Sequence, residues 1–174
     1  VYTAPTLQRE WDMELLPVLI GPGAWQQLER GLLQRVRVLN ALLADLYGDR
    51  KLLRSGLLPP ALVQGHPDYL QCMYRVLPPH GTFLHVAAFD VVHGPDGQWH
   101  VLSQRLQAPS GLGYLLGNRQ ASLQQLPQAF DSLHVRRLSD TYRVLVDGLR
   151  AHCAEGADAR IALLTPGPYN ETYF

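Results

Sequence analysis

Apolar residues recur at three- and four-residue steps along one stretch near the start of the chain. The stripe consists of Trp25, Leu28, Leu32, Val36, Leu39, Leu43 and Leu46. This spacing matches the 3.6-residue turn of an α-helix, and Gly48 follows it as a stop signal. The pattern predicts one long amphipathic helix over residues 24–47, with its polar face solvated or turned toward another domain.

A different pattern, the alternation of apolar and polar residues, predicts a β-hairpin in the middle of the chain. Phe83–Val92 and Trp99–Leu106 are rich in β-branched and aromatic residues, and Gly94–Gly97 supplies the turn between them. Successive side chains of a strand point to opposite faces. Five residues of the second strand are therefore expected to share one face: Trp99, Val101, Ser103, Arg105 and Gln107.

The remaining segments predict short helices and one further strand. Helical segments are expected at Lys51–Ser55, Pro60–Gln64, Leu115–Leu126 and Asp140–Ala154. The apolar run Ile161–Leu164, bounded by glycine and proline, is consistent with a buried parallel strand. The expected fold class is α+β, divided into an N-terminal arm (1–23), a central region (24–136) and the start of a third region (137–174). Neither end has the character of a natural terminus, so we expect a fragment.

Composition excludes several classes of function. The 174 residues carry 15 basic and 15 acidic side chains, so the bulk charge selects neither acidic nor basic partners. Lys51 is the only lysine, which argues against a Walker-type phosphate loop and against Schiff-base chemistry. The sequence has no membrane-spanning run and no signal pattern. Cys72 and Cys153 are too few for a disulfide framework, so we expect a reducing cytosol and two buried thiols.

The loop that follows the hairpin is a candidate anion site. It contains Ser110 and Gly111 between a strand and a helix, where backbone N–H groups can hold a phosphate or carboxylate. The alternative is a plain connection that needs glycine for its backbone angles, and composition favours that alternative. Asn118 and Arg119 follow a turn or more later, and Arg119 either reaches back to an anion or is a solvated helix arginine.

Asp90 is the other candidate site residue, because it interrupts an apolar strand. A carboxylate in such a position is paired or lies at an exposed edge, and Arg105 on the neighbouring strand is a conceivable partner. A metal ligand is the sharper alternative, but no second carboxylate is near in sequence. The seven histidines have no zinc-ligand spacing, no GxSxG elbow is present, and the paired arginines lack aromatic neighbours. Zinc, serine hydrolase and nucleic-acid functions are therefore disfavoured.

Four segments in this order match a known family. They are GAWQQLERGLLQRVRVLNALLADLYG, LLRSGLLPPALVQGHPDYL, HVAAFDVVHGPDGQWHVLSQRLQAPSGLGYLLGNR and LLTPGPYNETYF. Together they cover most of the chain. The sequence resembles the N-terminal part of circularly permuted type 2 ATP-grasp proteins, in the branch that is fused to an all-helical alpha-E domain.

The resemblance implies a carboxylate–amine ligase that uses ATP and Mg²⁺ to form an acyl phosphate, which an amine then attacks. The implied partners are a small-molecule or peptide carboxylate, an amine and the remaining half of the protein, with no nucleic acid and no membrane. The hairpin would be the strand pair that normally closes the ATP-grasp domain, and the segment from Ile161 would open a Rossmann-like unit. The resemblance also implies a bacterial, cytoplasmic protein, and an isolated fragment without activity.

The resemblance assigns roles to nine positions. Arg105 and Arg119 would be catalytic anion contacts, and Tyr169 and Asn170 would bind substrate in the first loop of the Rossmann-like unit. Residues expected to bind the cofactor are Asp90, Ser110, Gly111, Tyr114 and Asn118.

One departure from the family pattern affects the metal. Many relatives carry Glu-Asp-Asn, an apolar residue and Arg on the second strand, whereas this chain has Ser103-Gln104-Arg105-Leu106-Gln107. Ser103 and Arg105 supply a weak oxygen and a cation in place of two hard oxygens, which disfavours Mg²⁺. Arg105 would repel the metal, or replace its charge and bind phosphate directly. A degenerate ATP-grasp scaffold that binds a partner or peptide is therefore the alternative function.

Overall fold

The computed structural model describes residues 13–14, 16–153 and 156–165. The regular structure in these ranges consists of helices and one two-stranded antiparallel sheet. This mixture agrees with the predicted α+β fold class. The helices are α1 (Pro22–Tyr47), α2 (Lys51–Arg54), α3 (Pro60–Val63), α4 (Leu112–Gln125), α5 (Pro127–Ser132) and α6 (Ser139–Arg150), and the strands are β1 (Ala88–His93) and β2 (Trp99–Arg105). Single 3₁₀ turns occur at Gln71–Met73, Pro79–Gly81 and Gly156–Asp158.

The long predicted helix is confirmed as α1. It begins at Pro22, whose fixed φ suits the first turn, and it ends where the Gly48 N–H donates to the Asp45 carbonyl. Leu28 and Leu46 of the predicted apolar stripe are both 8% exposed, whereas Trp25 at the start of the stripe is 40% exposed. The periodicity therefore identified the inward face of α1 over all but its first turn.

Asp45 connects α1 to α2. Its carboxylate accepts the Lys51 N–H at 2.8 Å and the Leu52 N–H at 3.0 Å, two donors that have no partner within so short a helix. The Leu52 hydrogen bond is the main reason why the pKa of Asp45 lies below its ordinary value. The polar face of this helix is predicted to be solvated or turned toward another domain, and Asp45 of that face instead caps α2.

Asn40 of α1 holds the segment that leads into the hairpin. Its amide donates to the Gly81 carbonyl at 3.0 Å, and its Oδ1 accepts the N–H groups of Phe83 at 2.8 Å and Leu84 at 3.2 Å. The Tyr47 ring stacks on Phe83, with 6.4 Å between the ring centroids. One helix side chain thus satisfies three backbone groups of a segment that has no sheet partner.

The predicted hairpin is confirmed, with a shorter first strand. Strand β1 begins at Ala88 rather than at Phe83, and it pairs antiparallel with β2. In the turn, the Gly94 N–H donates to the Gln98 carbonyl at 2.8 Å, and Gly97 adopts a φ of 73°. This left-handed backbone explains the need for glycine at that turn position.

A β-bulge in β2 interrupts the regular alternation of side chains between the two faces of the hairpin. Asp90 lies opposite Ser103, but the next residue, Val91, lies opposite Val101, so Leu102 is an extra residue in β2. Ser103 therefore shares a face with Asp90, while Val101 shares the other face with Val91. Trp99 and Val101 therefore share one face, and Ser103 and Arg105 share the other. The prediction that Trp99, Val101, Ser103, Arg105 and Gln107 all share one face is wrong across the bulge, where strict alternation does not hold, although Ser103 and Arg105 do lie together as predicted.

The described residues divide into two compact units. One unit contains the described residues within 21–109 and 144–162, and the other contains residues 110–143 with the described residues within 13–20 and 163–165. In the second unit, the Tyr142 hydroxyl of α6 donates to the Leu112 carbonyl at the start of α4. This contact joins two helices that are separated in sequence. The boundaries at 23/24 and 136/137 stay predictions.

Two expectations about burial are wrong. Ile161–Leu164 forms no strand, and Leu163 and Leu164 are 86% and 99% exposed. A parallel strand needs a hydrogen-bonded neighbour, and β1 and β2 pair only with each other in the described sheet. Cys72 and Cys153 are both exposed, because one lies in the surface turn Gln71–Met73 and the other lies just beyond the end of α6.

Among the described helices, none combines the length and the apolar character needed to cross a membrane.

Candidate functional site

Asp90, Ser103 and Arg105 form a polar cluster on one face of the hairpin. The Ser103 hydroxyl donates to Asp90 Oδ2, and Arg105 Nη2 lies 3.0 Å from Asp90 Oδ1. The register explains this arrangement, because Asp90 is directly opposite Ser103 and diagonal to Arg105, which pairs with Ala88. The pairing of Asp90 with Arg105 that the sequence suggested is therefore present.

The cluster keeps the Asp90 carboxylate ionised. The hydrogen bond from Ser103 is the largest cause that lowers the pKa of Asp90; desolvation opposes it, and the Arg105 charge adds to it. The side chains are 47% exposed for Asp90 and 62% exposed for Arg105, so salt screens their attraction. The pair is consequently a positioned surface pair that a ligand or a covering segment can reach.

The cluster does not fit Mg²⁺. Its donor set is one carboxylate and one hydroxyl beside a guanidinium, whereas Mg²⁺ is bound through carboxylates and phosphate oxygens in near-ideal octahedral geometry. Both carboxylate oxygens of Asp90 already accept hydrogen bonds. The described residues contain no group of three or more His, Cys, Asp or Glu side chains arranged to hold a metal ion. No chemical step at this hairpin is therefore assigned to a metal.

The other candidate residues lie in the second unit. Ser110 is exposed and precedes Gly111, whose φ of 108° sets the backbone at the start of α4. The Gly111 carbonyl accepts the Leu115 N–H at 3.0 Å and so closes the first helical turn. Tyr114 and Asn118 lie on α4, within the first two turns. The loop therefore has the local geometry of a strand-to-helix connection, and its anion-binding role stays a prediction.

Arg119, the second predicted catalytic arginine, packs on an aromatic ring. Its guanidinium lies 5.7 Å from the centroid of Phe130 in α5, and the residue is half-buried. This contact restricts the side chain through a cation–π interaction. Its role toward an anion stays a prediction. Tyr169 and Asn170 lie outside the described residues.

Three histidines that looked dispersed in sequence have neighbouring rings. The His152 ring lies 4.6 Å from the His85 ring and 5.7 Å from the His80 ring, measured between centroids. His152 Nδ1 is 2.7 Å from the Gly148 carbonyl, which fixes the ring against α6. Sequence spacing gave no signal of this cluster, because His152 follows His80 and His85 by 72 and 67 residues.

A cluster of arginine and tyrosine side chains, which the sequence pattern did not predict, lies between α1 and β1 in the chain. The Arg50 guanidinium lies 3.6 Å from the centroid of the Tyr74 ring and donates to the Tyr69 hydroxyl at 3.0 Å. The Tyr69 ring in turn stacks on Tyr47, with 5.0 Å between centroids. Arg75 lies beside the same Tyr74 ring, at 5.4 Å. The one available signal was the local density of arginine and tyrosine between residues 47 and 75.

Comparison with known proteins connects the hairpin to a family. The model of the family described as circularly permuted ATP-grasp type 2 matches residues 17–174. This range includes α1, the hairpin and α4, and therefore both groups of candidate site residues.

Bacterial relatives support the match. Uncharacterized protein Rv2411c of Mycobacterium tuberculosis (strain H37Rv) is 36% identical over 168 residues, which is 96% of this chain and 30% of the relative. Uncharacterized protein Rv2567 of the same strain is 36% identical over 167 residues, 94% of this chain and 19% of the relative. Uncharacterized protein sll0335 of Synechocystis is 30% identical over 172 residues, 97% of this chain and 35% of the relative.

The chain thus spans between 19% and 35% of the length of these relatives. Since the family model covers nearly all of the sequence, the chain belongs to the circularly permuted type 2 ATP-grasp family.

Proposed function

We propose that this chain is part of an ATP-dependent carboxylate–amine ligase that forms amide or peptide bonds. The observation that carries the proposal is the Asp90–Ser103–Arg105 cluster, which lies on the hairpin of a chain whose family is ATP-grasp. In the proposed ligase, ATP activates the carboxylate of one substrate for attack by the amine of the other. The acid and the amine are small molecules or peptides.

Arg105 is the proposed anion contact of this half of the site. Asp90 anchors one guanidinium nitrogen, Nη2, and the side chain remains 62% exposed. A guanidinium has five N–H donors in a rigid fork, so an anchored arginine can still donate to a phosphate or acyl-phosphate oxygen. Arg119, together with Asp90, Ser110, Gly111, Tyr114 and Asn118, would contribute from the same half.

The remaining parts of the proposal concern the whole protein. A Rossmann-like unit beginning near Ile161 would place Tyr169 and Asn170 beside the substrate, and an alpha-E domain would follow elsewhere in the protein. The cytoplasm, with its ATP, is the proposed location. We expect the isolated 174-residue chain to have no ligase activity, since it spans only 30% of the relative Rv2411c and the proposed cleft needs a second half.

Nucleotide turnover by the full-length protein tests the ligase proposal. Calorimetry with ATP and Mg²⁺ should detect binding, and ADP release should depend on an added carboxylate and amine. Arg105→Gln should lower kcat/KM at least about tenfold, because one charge-assisted contact is lost. Arg143→Gln is the matched control, because Arg143 is also an exposed arginine with an aspartate partner, at 3.8 Å from Asp140. Absence of both nucleotide binding and turnover would contradict the proposal.

A non-catalytic scaffold is the second candidate, and a specific observation favours it. The single carboxylate of the hairpin cluster already accepts hydrogen bonds from Ser103 and Arg105, and the donor set does not fit Mg²⁺. Such a hairpin would persist after loss of catalysis and present a fixed polar face to a partner or peptide. Metal-dependent ATP turnover in the full-length protein would exclude this candidate, whereas partner binding without turnover would support it.

A further inference from the structure

A pocket lined by arginine lies in the unit that contains α1 and the hairpin. Its volume is about 390 Å³, within the range of small-molecule sites. We call it the arginine pocket. The lining residues used in the argument are Asp49, Arg50, Leu53, Arg54, Tyr74 and Arg75. None of them belongs to the Asp90–Ser103–Arg105 cluster, so the inference does not rest on the proposed function.

Arg50 is held in place before any ligand arrives. Its Nη2 donates to the Tyr69 hydroxyl at 3.0 Å, its Nε donates to the Leu46 carbonyl at 3.4 Å, and its guanidinium lies 3.6 Å from the Tyr74 centroid. Arg50 has a φ of 55°, an uncommon conformation for a residue other than glycine. The half-buried side chain is therefore a fixed cation in the pocket wall.

Arg75 occupies a similarly defined position. Its N–H donates to the Tyr47 carbonyl at 2.7 Å, and its φ is 62°. Its guanidinium lies 5.4 Å from the Tyr74 centroid, so Tyr74 is within cation–π distance of both Arg50 and Arg75. The backbone and an aromatic ring thus place a second guanidinium at the pocket.

The positive charge of the pocket exceeds its negative charge. In the described part of the chain, no carboxylate forms an ion pair with Arg50, Arg54 or Arg75. Asp49 also lines the pocket, but its carboxylate lies 3.3 Å from Lys51 Nζ. Three arginines consequently line a pocket whose one acidic lining residue already has a cation beside it.

We propose that the arginine pocket binds a small phosphate-bearing molecule. Guanidinium groups match phosphate oxygens through two parallel N–H donors, and three of them suit a ligand with more than one negative charge. The volume exceeds that of a phosphate group, which leaves room for an organic part against Leu53 and Tyr74. The sites of contact are Arg54 and Arg75, which are exposed, together with the fixed Arg50.

Pyrophosphate titration of the full-length protein tests the site. Calorimetry at constant ionic strength should show saturable binding at millimolar concentration or below. The double variant Arg54→Gln with Arg75→Gln should weaken this binding about tenfold or more. The matched control, Arg35→Gln with Arg37→Gln on α1, removes the same charge from exposed positions and should change binding less than about twofold.

Further variants separate this site from the proposed ligase site. Arg105→Gln should retain pyrophosphate binding at the arginine pocket even if all turnover is absent. The conservative double variant Arg54→Lys with Arg75→Lys keeps the charge but loses the planar guanidinium, so pyrophosphate binding should weaken several-fold. This variant also tests the site if the glutamine double variant does not fold. Absence of saturable binding, equal loss in the α1 control, or wild-type affinity in the glutamine or lysine pair would overturn the proposal.

Discussion

Asn40 of α1 accepts the backbone N–H of Phe83 at 2.8 Å, although 43 residues separate them in sequence. The same amide group also contacts the Gly81 carbonyl and the Leu84 N–H. Within the described residues, the segment before β1 pairs with no strand, so these three bonds take the place of sheet hydrogen bonds. Asn40 therefore holds the segment that leads into β1 against α1.

Asn40→Ala should lower the free energy of unfolding by ~1–3 kcal/mol, because the half-buried Phe83 and Leu84 N–H groups lose their acceptor. Urea denaturation followed by circular dichroism measures the loss. Gln34→Ala, at an exposed position of the same helix, is the control and should stay within ~0.5 kcal/mol of the parent. Equal stability of the two variants would contradict the role of Asn40.

Ser103→Ala should raise the pKa of Asp90 toward its ordinary value of 3.8, because the Ser103 hydrogen bond is the largest cause of the lowered pKa. NMR titration of the Asp90 carboxylate measures this pKa in the parent protein and in the variant. Asp96 is the internal control, since its pKa is lowered mainly by the Gln98 N–H and should not move. An unchanged Asp90 pKa would show that Ser103 does not stabilise the carboxylate.

The lowered pKa of Asp90 also fixes the sign of a pH dependence. A carboxylate that binds its proton more weakly in the folded state stabilises the fold above its unfolded pKa. The contribution of Asp90 should therefore be complete above the ordinary value of 3.8 and disappear as the pH falls through the folded value. The free energies of unfolding of the parent and of Asp90→Asn, compared as the pH falls from above 3.8 through the folded pKa, measure this contribution. A difference in unfolding free energy that grows on acidification would contradict the assignment.

Leu46→Ala should destabilise the protein by ~2–4 kcal/mol, because Leu46 is 8% exposed and truncation of a packed leucine leaves a cavity. Leu33→Ala on the same helix is the matched control, since Leu33 is 49% exposed and should cost less than ~1 kcal/mol. Thermal or urea unfolding compares the two. Similar losses would mean that the stripe of α1 does not define the inward face.

Two glycine substitutions should act in opposite directions. Gly97→Ala should destabilise the hairpin by roughly 1–2 kcal/mol, because Gly97 has a φ of 73°. Gly31→Ala should stabilise the protein by roughly 0.5–1 kcal/mol, because Gly31 lies inside α1 with open space around an added Cβ. Unfolding free energies of the two variants test the pair, and effects of the same sign would contradict it.

The features that the sequence predicted correctly depend on neighbours along the chain. The α1 stripe follows from helical period, and the hairpin follows from strand composition around Gly94–Gly97. The features that it missed depend on distant residues or on small register changes. Asn40 reaches Phe83, and His152 reaches His80, only because the fold brings them together.

Among the site residues, too, the sequence predicted some and missed others. Asp90 was identified because a carboxylate inside an apolar strand needs a partner, and Arg105 is that partner. The arginine pocket gave no comparable signal, since Arg50 and Arg75 are 25 residues apart in sequence. Ile161–Leu164 failed as a strand because an apolar run does not specify which neighbour pairs with it.

The extra residue at Leu102 has a consequence for changes in chain length. Without Leu102, Ser103 would follow Val101 directly, and the pairs Asp90–Ser103 and Val91–Val101 would be successive pairs of a regular antiparallel ladder. Leu102 is 70% exposed, so its removal leaves no cavity in the described core. Deletion of Leu102 is therefore expected to keep Asp90 opposite Ser103 and Val91 opposite Val101.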